Sequence, residues 1–155
     1  MEIHIVLDNI RSCFNVGSIF RSADGAGSVA KIYLCGMTAD VDNPKLEKTA
    51  LGALDMVDSE HYDTTQDALE EIREMKIPIY SVELADDAED FQKVKYPKRV
   101  AFVFGHEKMG VGQDILQESD KKIYVPMRGM KESLNVANCA TAILYEVTRE
   151  KEIVP

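Results

Sequence analysis

The chain has 155 residues, 45% of them apolar and 7% aromatic, and carries a net charge of −9. That length suits one domain burying roughly 70% of its unfolded surface, and no apolar run approaches the ~20 residues that a bilayer-spanning helix needs. The three cysteines (Cys13, Cys35, Cys139) and three histidines (His4, His61, His106) are scattered, which argues against a disulfide framework or a metal centre.

The N-terminus, Met1 to Asp8, runs directly into a strand pattern without a signal-peptide signature, so a cytoplasmic protein is expected. Ile3–Leu7 reads as the first strand and Asp8–Ser12 as the loop that ends it. Asn15–Gly27 reads as a helix, with Val16, Ile19, Phe20, Ala23 and Ala26 along one side and Gly25 and Gly27 closing it. Val29–Cys35 gives a second strand. Strand, helix and strand in close succession form a βαβ unit and favour a parallel sheet. The polar stretch from Gly36 to Gly52 contains a turn at Pro44 and a short helix at 45–51.

Leu54–Val57 is a strand candidate, Thr65–Met75 an amphipathic helix capped by Thr64 or Thr65, and Pro78–Leu84 a further strand before an acidic turn at 85–90. Charge is concentrated in this region. Between Asp58 and Asp90 stand 12 acidic and 2 basic residues, so the segment carries −10 and the remainder of the chain +1. It reads as a solvated acidic face. Lysines and arginines gather instead between Lys93 and Lys131, where a polyanion would bind with strong salt dependence.

Arg99–Phe104 is the most apolar run and predicts a strand buried on both faces. Gly105–Gly112 breaks it, Gln113–Glu118 forms a short helix, and Lys122–Val125 gives a last strand that stops at Pro126. After a loop containing Gly129, a helix is expected from near Ser133, with Val136, Ala137, Ala140, Ile143, Leu144 and Val147 on one face. Ser133, Asn135 and Asn138 crowd its start. One helix cap accounts for one of them; three beside a glycine loop at a strand end point to the edge where open α/β sheets bind ligands. The elements together predict one α/β domain, a mostly parallel sheet flanked by helices.

No Gly-x-Gly-x-x-Gly fingerprint, Gly-Lys-Ser/Thr phosphate loop or Gly-x-Ser-x-Gly elbow is present, so dinucleotides, triphosphates and serine hydrolysis lack support. Taken singly, Gly105 and Gly110 are turn glycines, Glu107 an exposed carboxylate and Arg21 a surface charge. Taken together, three segments carry a resemblance. Asn15–Asp24, Phe104–Gly110 and Ile123–Ala137 resemble, in order and spacing, the three motifs of the SpoU/TrmH-type RNA ribose methyltransferases of the SPOUT superfamily. Lys48-Thr-Ala-Leu-Gly-Ala also looks like that family, and the resemblance spans essentially the whole chain.

The resemblance implies transfer of a methyl group from S-adenosylmethionine (AdoMet) to a ribose 2′-hydroxyl of tRNA or rRNA. It also implies a C-terminal deep trefoil knot and a homodimer. Carried onto this sequence, the cofactor would be held largely by backbone at Val82, Glu83, Gly105, Val125 and Met127 and near Leu134. Ser133 and Asn135 would shape the meeting point of cofactor and ribose. Asn15 and Arg21 would handle RNA, and Glu107 would position loops or substrate. Methyl transfer from a sulfonium is an in-line displacement, so catalysis is mostly alignment. Arg21, which keeps its proton, would hold a phosphate and polarise the hydroxyl while water or phosphate takes the proton.

Many members carry an added RNA-binding domain, whereas residues 1–155 are expected to form the methyltransferase domain alone. RNA would then be gripped by the dimer's combined faces or delivered by an accessory protein. Two rivals stand beside this reading. One is a catalytically idle knotted RNA-binding or scaffold dimer. The other is a flavodoxin-like ligand module, which lacks support for want of a phosphate-cradling loop after the first strand.

Overall fold

The protein structure is a computed structural model that describes residues 1–149; the last six residues of the expected 1–155 domain lie outside them. Seven strands form one sheet: β1 (Glu2–Asp8), β2 (Val29–Cys35), β3 (Ser59–Tyr62), β4 (Ile79–Val82), β5 (Glu89–Asp90), β6 (Arg99–Gly105) and β7 (Lys121–Tyr124). Their order is β3-β2-β1-β6-β4-β7-β5, and every neighbouring pair is parallel. All strand C-termini therefore share one edge. Chain order reverses between β1 and β6, which makes a switch point there.

The alternation of side chains explains the two covering layers. Ile3, Ile5 and Leu7 of β1 join Phe102 and Phe104 of β6 on one face. There they pack against α1 (Cys13–Ala26) and α5 (Val136–Thr148), with the short α2 (Glu47–Ala50) lying against α1. Val6 and Val103 point to the other face, towards α3 (Thr65–Glu74) and α4 (Gln113–Glu118). The strand expected to be buried on both sides is so: Val100 to Phe104 are at most 1% exposed.

Several boundaries differ from the sequence reading. Leu54–Val57 is not a strand; Ala53–Asp55 make a 3-10 turn after Gly52, whose φ of 91° suits glycine. The edge strand is the polar Ser59–Tyr62, which pairs with β2. Beside it Lys31 binds Glu60 at 2.7 Å, Glu71 at 2.8 Å and the Tyr62 hydroxyl at 2.7 Å. Burial would lower the Lys31 pKa, but these partners raise it well above the usual lysine value. The acidic turn contains β5, and its Asp87 and Glu89 pair with Lys122 and Lys121. The last helix starts at Val136, not near Ser133, because the Asn135 side chain accepts from Ala137 N and Asn138 N and so caps it.

Candidate active site

The loops after β4, β6 and β7 meet the start of α5 around a cleft of about 570 Å³. Its apolar wall comes from Val82, Phe104, Val125, Val136 and Cys139. All seven expected cofactor positions line it: Val82, Glu83, Gly105, Val125, Met127, Ser133 and Leu134. Glu107 and Asn135 line it as well.

Residues distant in sequence lock these loops together. Asn135 Nδ2 donates to Asn15 Oδ1 at 3.0 Å, and Asn15 Nδ2 donates to Glu107 Oε1 at 3.2 Å. Glu107 also accepts from Arg11 N at 2.9 Å and Ser12 N at 3.0 Å. One side-chain relay thus ties the cap of α5, the first turn of α1 and the loop after β6. Two more carboxylates pin that last loop. Glu83 Oε2 accepts from Val111 N at 2.9 Å, and the buried Asp8 accepts from Gly112 N at 2.9 Å and from the Thr65 hydroxyl at 2.6 Å. Gly110 has φ 71°, and a Cβ there would lie 2.2 Å from Glu83 Oε2.

Burial would raise the Glu107 pKa, but the donors from Ser12, Arg11 and Asn15 hold it below the ordinary glutamate value. A carboxylate depressed in the folded state stabilises above its unfolded pKa, about 4.3, and loses that contribution as pH falls through the lower folded value. Glu107→Gln should therefore melt below the native protein at neutral pH, with the gap closing on acidification below about pH 4. A pH-independent gap in melting temperature would dismiss this account. Cys139 is pushed up to about 11 by burial and then by the charge of Glu83, so its thiol is protonated at neutral pH.

Arg21 is not brought to this cleft within one chain. It lines a separate hollow between α1, α2 and α5. The sequence reading also missed Asp8, Cys139 and Glu132, the last on the cleft wall next to Ser133. None lies in a motif position whose role the resemblance specifies.

Arg11, Lys108, Arg128 and Lys131 all sit on loops at the strand C-terminal edge. Among the described residues they make no ion pair, whereas Lys31, Arg73, Arg99, Lys121 and Lys122 are paired with carboxylates. The unpaired cations thus lie on the loops of the edge that carries the cleft, while the cleft itself is lined by Glu83, Glu107 and Glu132 beside Lys108.

The sequence profile of the SpoU rRNA Methylase family matches residues 2–145. The chain belongs to the SpoU rRNA methylase family. A relative in Thermus thermophilus, a tRNA (guanosine(18)-2′-O)-methyltransferase, is 32% identical over 97% of this chain and 76% of its own length. The TrmH/SpoU tRNA modifying enzyme of Aquifex aeolicus superposes with a TM-score of 0.85 at 30% identity, over 97% of this chain and 76% of that one. An AdoMet-bound rRNA methyltransferase from Sinorhizobium meliloti gives 0.88 at 26% identity, over 96% of this chain and 56% of that one. This SpoU chain therefore spans little more than half of that larger enzyme. Among the described residues no helix is long and apolar enough to cross a membrane.

Proposed function

We propose that this SpoU-family chain transfers the methyl group of AdoMet to a ribose 2′-hydroxyl of tRNA or rRNA, as a cytoplasmic homodimer with a trefoil-knotted C-terminal third. The observation that carries the reading is the convergence of the loops after β4, β6 and β7 on one cleft holding all seven cofactor positions. The cleft fits the group: its volume of about 570 Å³ lies in the range of small-molecule sites, with an apolar wall for a planar ring and loop backbone for polar edges.

Bound AdoMet supplies an electrophilic methyl carbon on a sulfonium. The chain's own residues then align and exclude. Ser133 and Asn135 stand at the mouth of α5, where the ribose oxygen must approach. Glu107 is a positioning residue and not the base, since its two oxygens already accept three donors and its basicity is lowered. The planar guanidinium of Arg21 orients the ribose and its phosphate. Its place outside the cleft of its own chain favours service to a neighbouring protomer. The hydroxyl proton would pass to water or to a phosphate oxygen as the C–O bond forms and the methyl–sulfur bond breaks, the cofactor leaving as a neutral thioether.

Titration calorimetry with AdoMet, followed by methyl transfer to unmodified RNA, tests the proposal. The label should appear in alkali-resistant dinucleotides, because a methylated 2′-oxygen cannot attack the adjoining phosphodiester. Absence of AdoMet binding would favour an idle scaffold. A gel-shift series in salt separates unaided RNA binding, which falls steeply with salt, from delivery by an accessory protein.

A further inference from the structure

The cofactor cleft occupies only one half of the strand C-terminal edge. A second cleft, of about 710 Å³, opens in the other half and is lined from the loops after β1, β2, β3 and β6. The turn after β6 divides the two, since His106 and Gly110 line both. The divide therefore falls at the switch point between β1 and β6, where open α/β sheets take ligands.

Two methionines in this cleft are held out to solvent. Met109 is 81% exposed and Met37 59%, although each is carried on a pinned turn. Gly110 N donates to His106 O at 2.8 Å, and His106 Nδ1 accepts from Lys108 N and Met109 N, both at 3.1 Å. On the other side Asn9 Oδ1 accepts from Met37 N at 2.9 Å, and a Cβ on Gly36 would lie 2.0 Å from that same oxygen. The turns are thus fixed while the thioether chains can adapt. β2 and β6 flank β1, so the two turns leave the sheet two strand spacings apart, about 9.6 Å. A planar ring in contact on both faces needs about 7–8 Å. The gap takes one ring but not a stack of two.

Charge decides which part of an RNA can enter. The cleft is lined by Asp8, Asp63 and Asp114 and by no lysine or arginine, so a phosphate is repelled from it. The cations of this edge, Arg11, Lys108, Arg128 and Lys131, stand on loops outside it. Two of the three carboxylates are already occupied. Asp8 accepts from Gly112 N, the Thr65 hydroxyl and Asn9 Nδ2, and Asp114 accepts from Gln66 Nε2 at 3.0 Å. Asp63, exposed on the loop after β3, makes no side-chain hydrogen bond and no ion pair among the described residues. A carboxylate accepts most strongly from two parallel N–H groups. Guanine alone among the four bases carries two adjacent N–H donors, at N1 and N2, on its pairing edge. We infer that the second cleft receives the base of the nucleotide being methylated, a guanine sandwiched by Met37 and Met109 with its pairing edge on Asp63. The inference rests on the RNA methyltransferase reading and adds to it the residues that choose the base. Met37 and Met109 grip any ring, and Asp63 determines specificity. A base so placed has been drawn out of its stack, and its ribose is left at the dividing turn beside the cofactor.

Methyl-labelled methionine NMR of the AdoMet-bound protein, titrated with the 5′-monophosphates of guanosine, inosine and uridine, tests it. The probes share one phosphate, so the base alone differs. Guanosine monophosphate should move the Met37 and Met109 methyl signals through its ring current. Inosine monophosphate, which lacks the 2-amino group, and uridine monophosphate should bind about tenfold more weakly. Asp63→Asn should abolish that preference while calorimetry shows native affinity for AdoMet. Met37→Ser combined with Met109→Ser should weaken all three nucleotides alike, and Met37→Leu combined with Met109→Leu should restore them. Methionine signals that stay in place with guanosine monophosphate overturn the inference. So does an equal response of the native protein to all three nucleotides, which would mark the phosphate as the group that binds. A guanine preference that survives in Asp63→Asn overturns it as well. Failure of the native protein to bind AdoMet is a separate result that strikes the methyltransferase reading itself.

Discussion

Gly105→Ala will leave a folded sheet that binds AdoMet about a hundredfold more weakly. A Cβ at Gly105 would stand 2.2 Å from Gly110 C and from Val111 N, and 2.5 Å from Gly110 O. These are backbone atoms and cannot rotate aside. Nor can the loop retreat, because Gly110 N donates to His106 O at 2.8 Å, Glu83 holds Val111 N and Asp8 holds Gly112 N. Inserting a methyl group into such a fixed gap costs about 1–3 kcal/mol, and the strain falls on the wall of the cleft. Calorimetry should show affinity lower by about a hundredfold, or ~2.7 kcal/mol, with far-UV circular dichroism preserved. Native affinity in this variant would mean that the loop after β6 is no part of the cofactor site.

The second large effect concerns Arg21. Arg21→Ala and Ser133→Ala proteins should each be inactive alone, yet regain activity when refolded together. If Arg21 serves the neighbouring protomer's cleft, each mixed dimer has one site with both residues intact. Random pairing then gives about a quarter of native activity. No recovery on mixing would return Arg21 to its own chain's cleft, where the single-chain geometry does not put it. Arg21→Lys keeps the charge and loses the planar fork, so single-turnover rates should fall by about tenfold, equivalent to ~1.4 kcal/mol.

The elements that bury a regular apolar pattern were legible in the sequence. β2, β6, α1, α3 and α4 stand where periodicity puts them, within a residue or two. β3 was hidden because Ser59-Glu-His-Tyr is an edge strand whose neighbours are Lys31, Glu71 and Tyr33, a polar cluster and not an oily core. β5 has two acidic residues paired by backbone to β7, which no side-chain pattern announces. The cleft's cast was legible through motif resemblance. The fastening was not: Asp8 reaches Gly112, and Glu83 reaches Val111, across separations that only the folded sheet closes.

Because every neighbouring strand pair is parallel, no part of this sheet forms as a simple hairpin, and each addition waits for a crossover. β6 must slot between β1 and β4, both made earlier. A nascent chain emerging from the ribosome could assemble β1, α1, β2 and β3 first. It would gain no cofactor site until Asn135 had left the exit tunnel, since the final wall and the cap of α5 come last. Premature termination anywhere upstream therefore yields a product without transferase competence, and translation to the far end is itself the gate on activity.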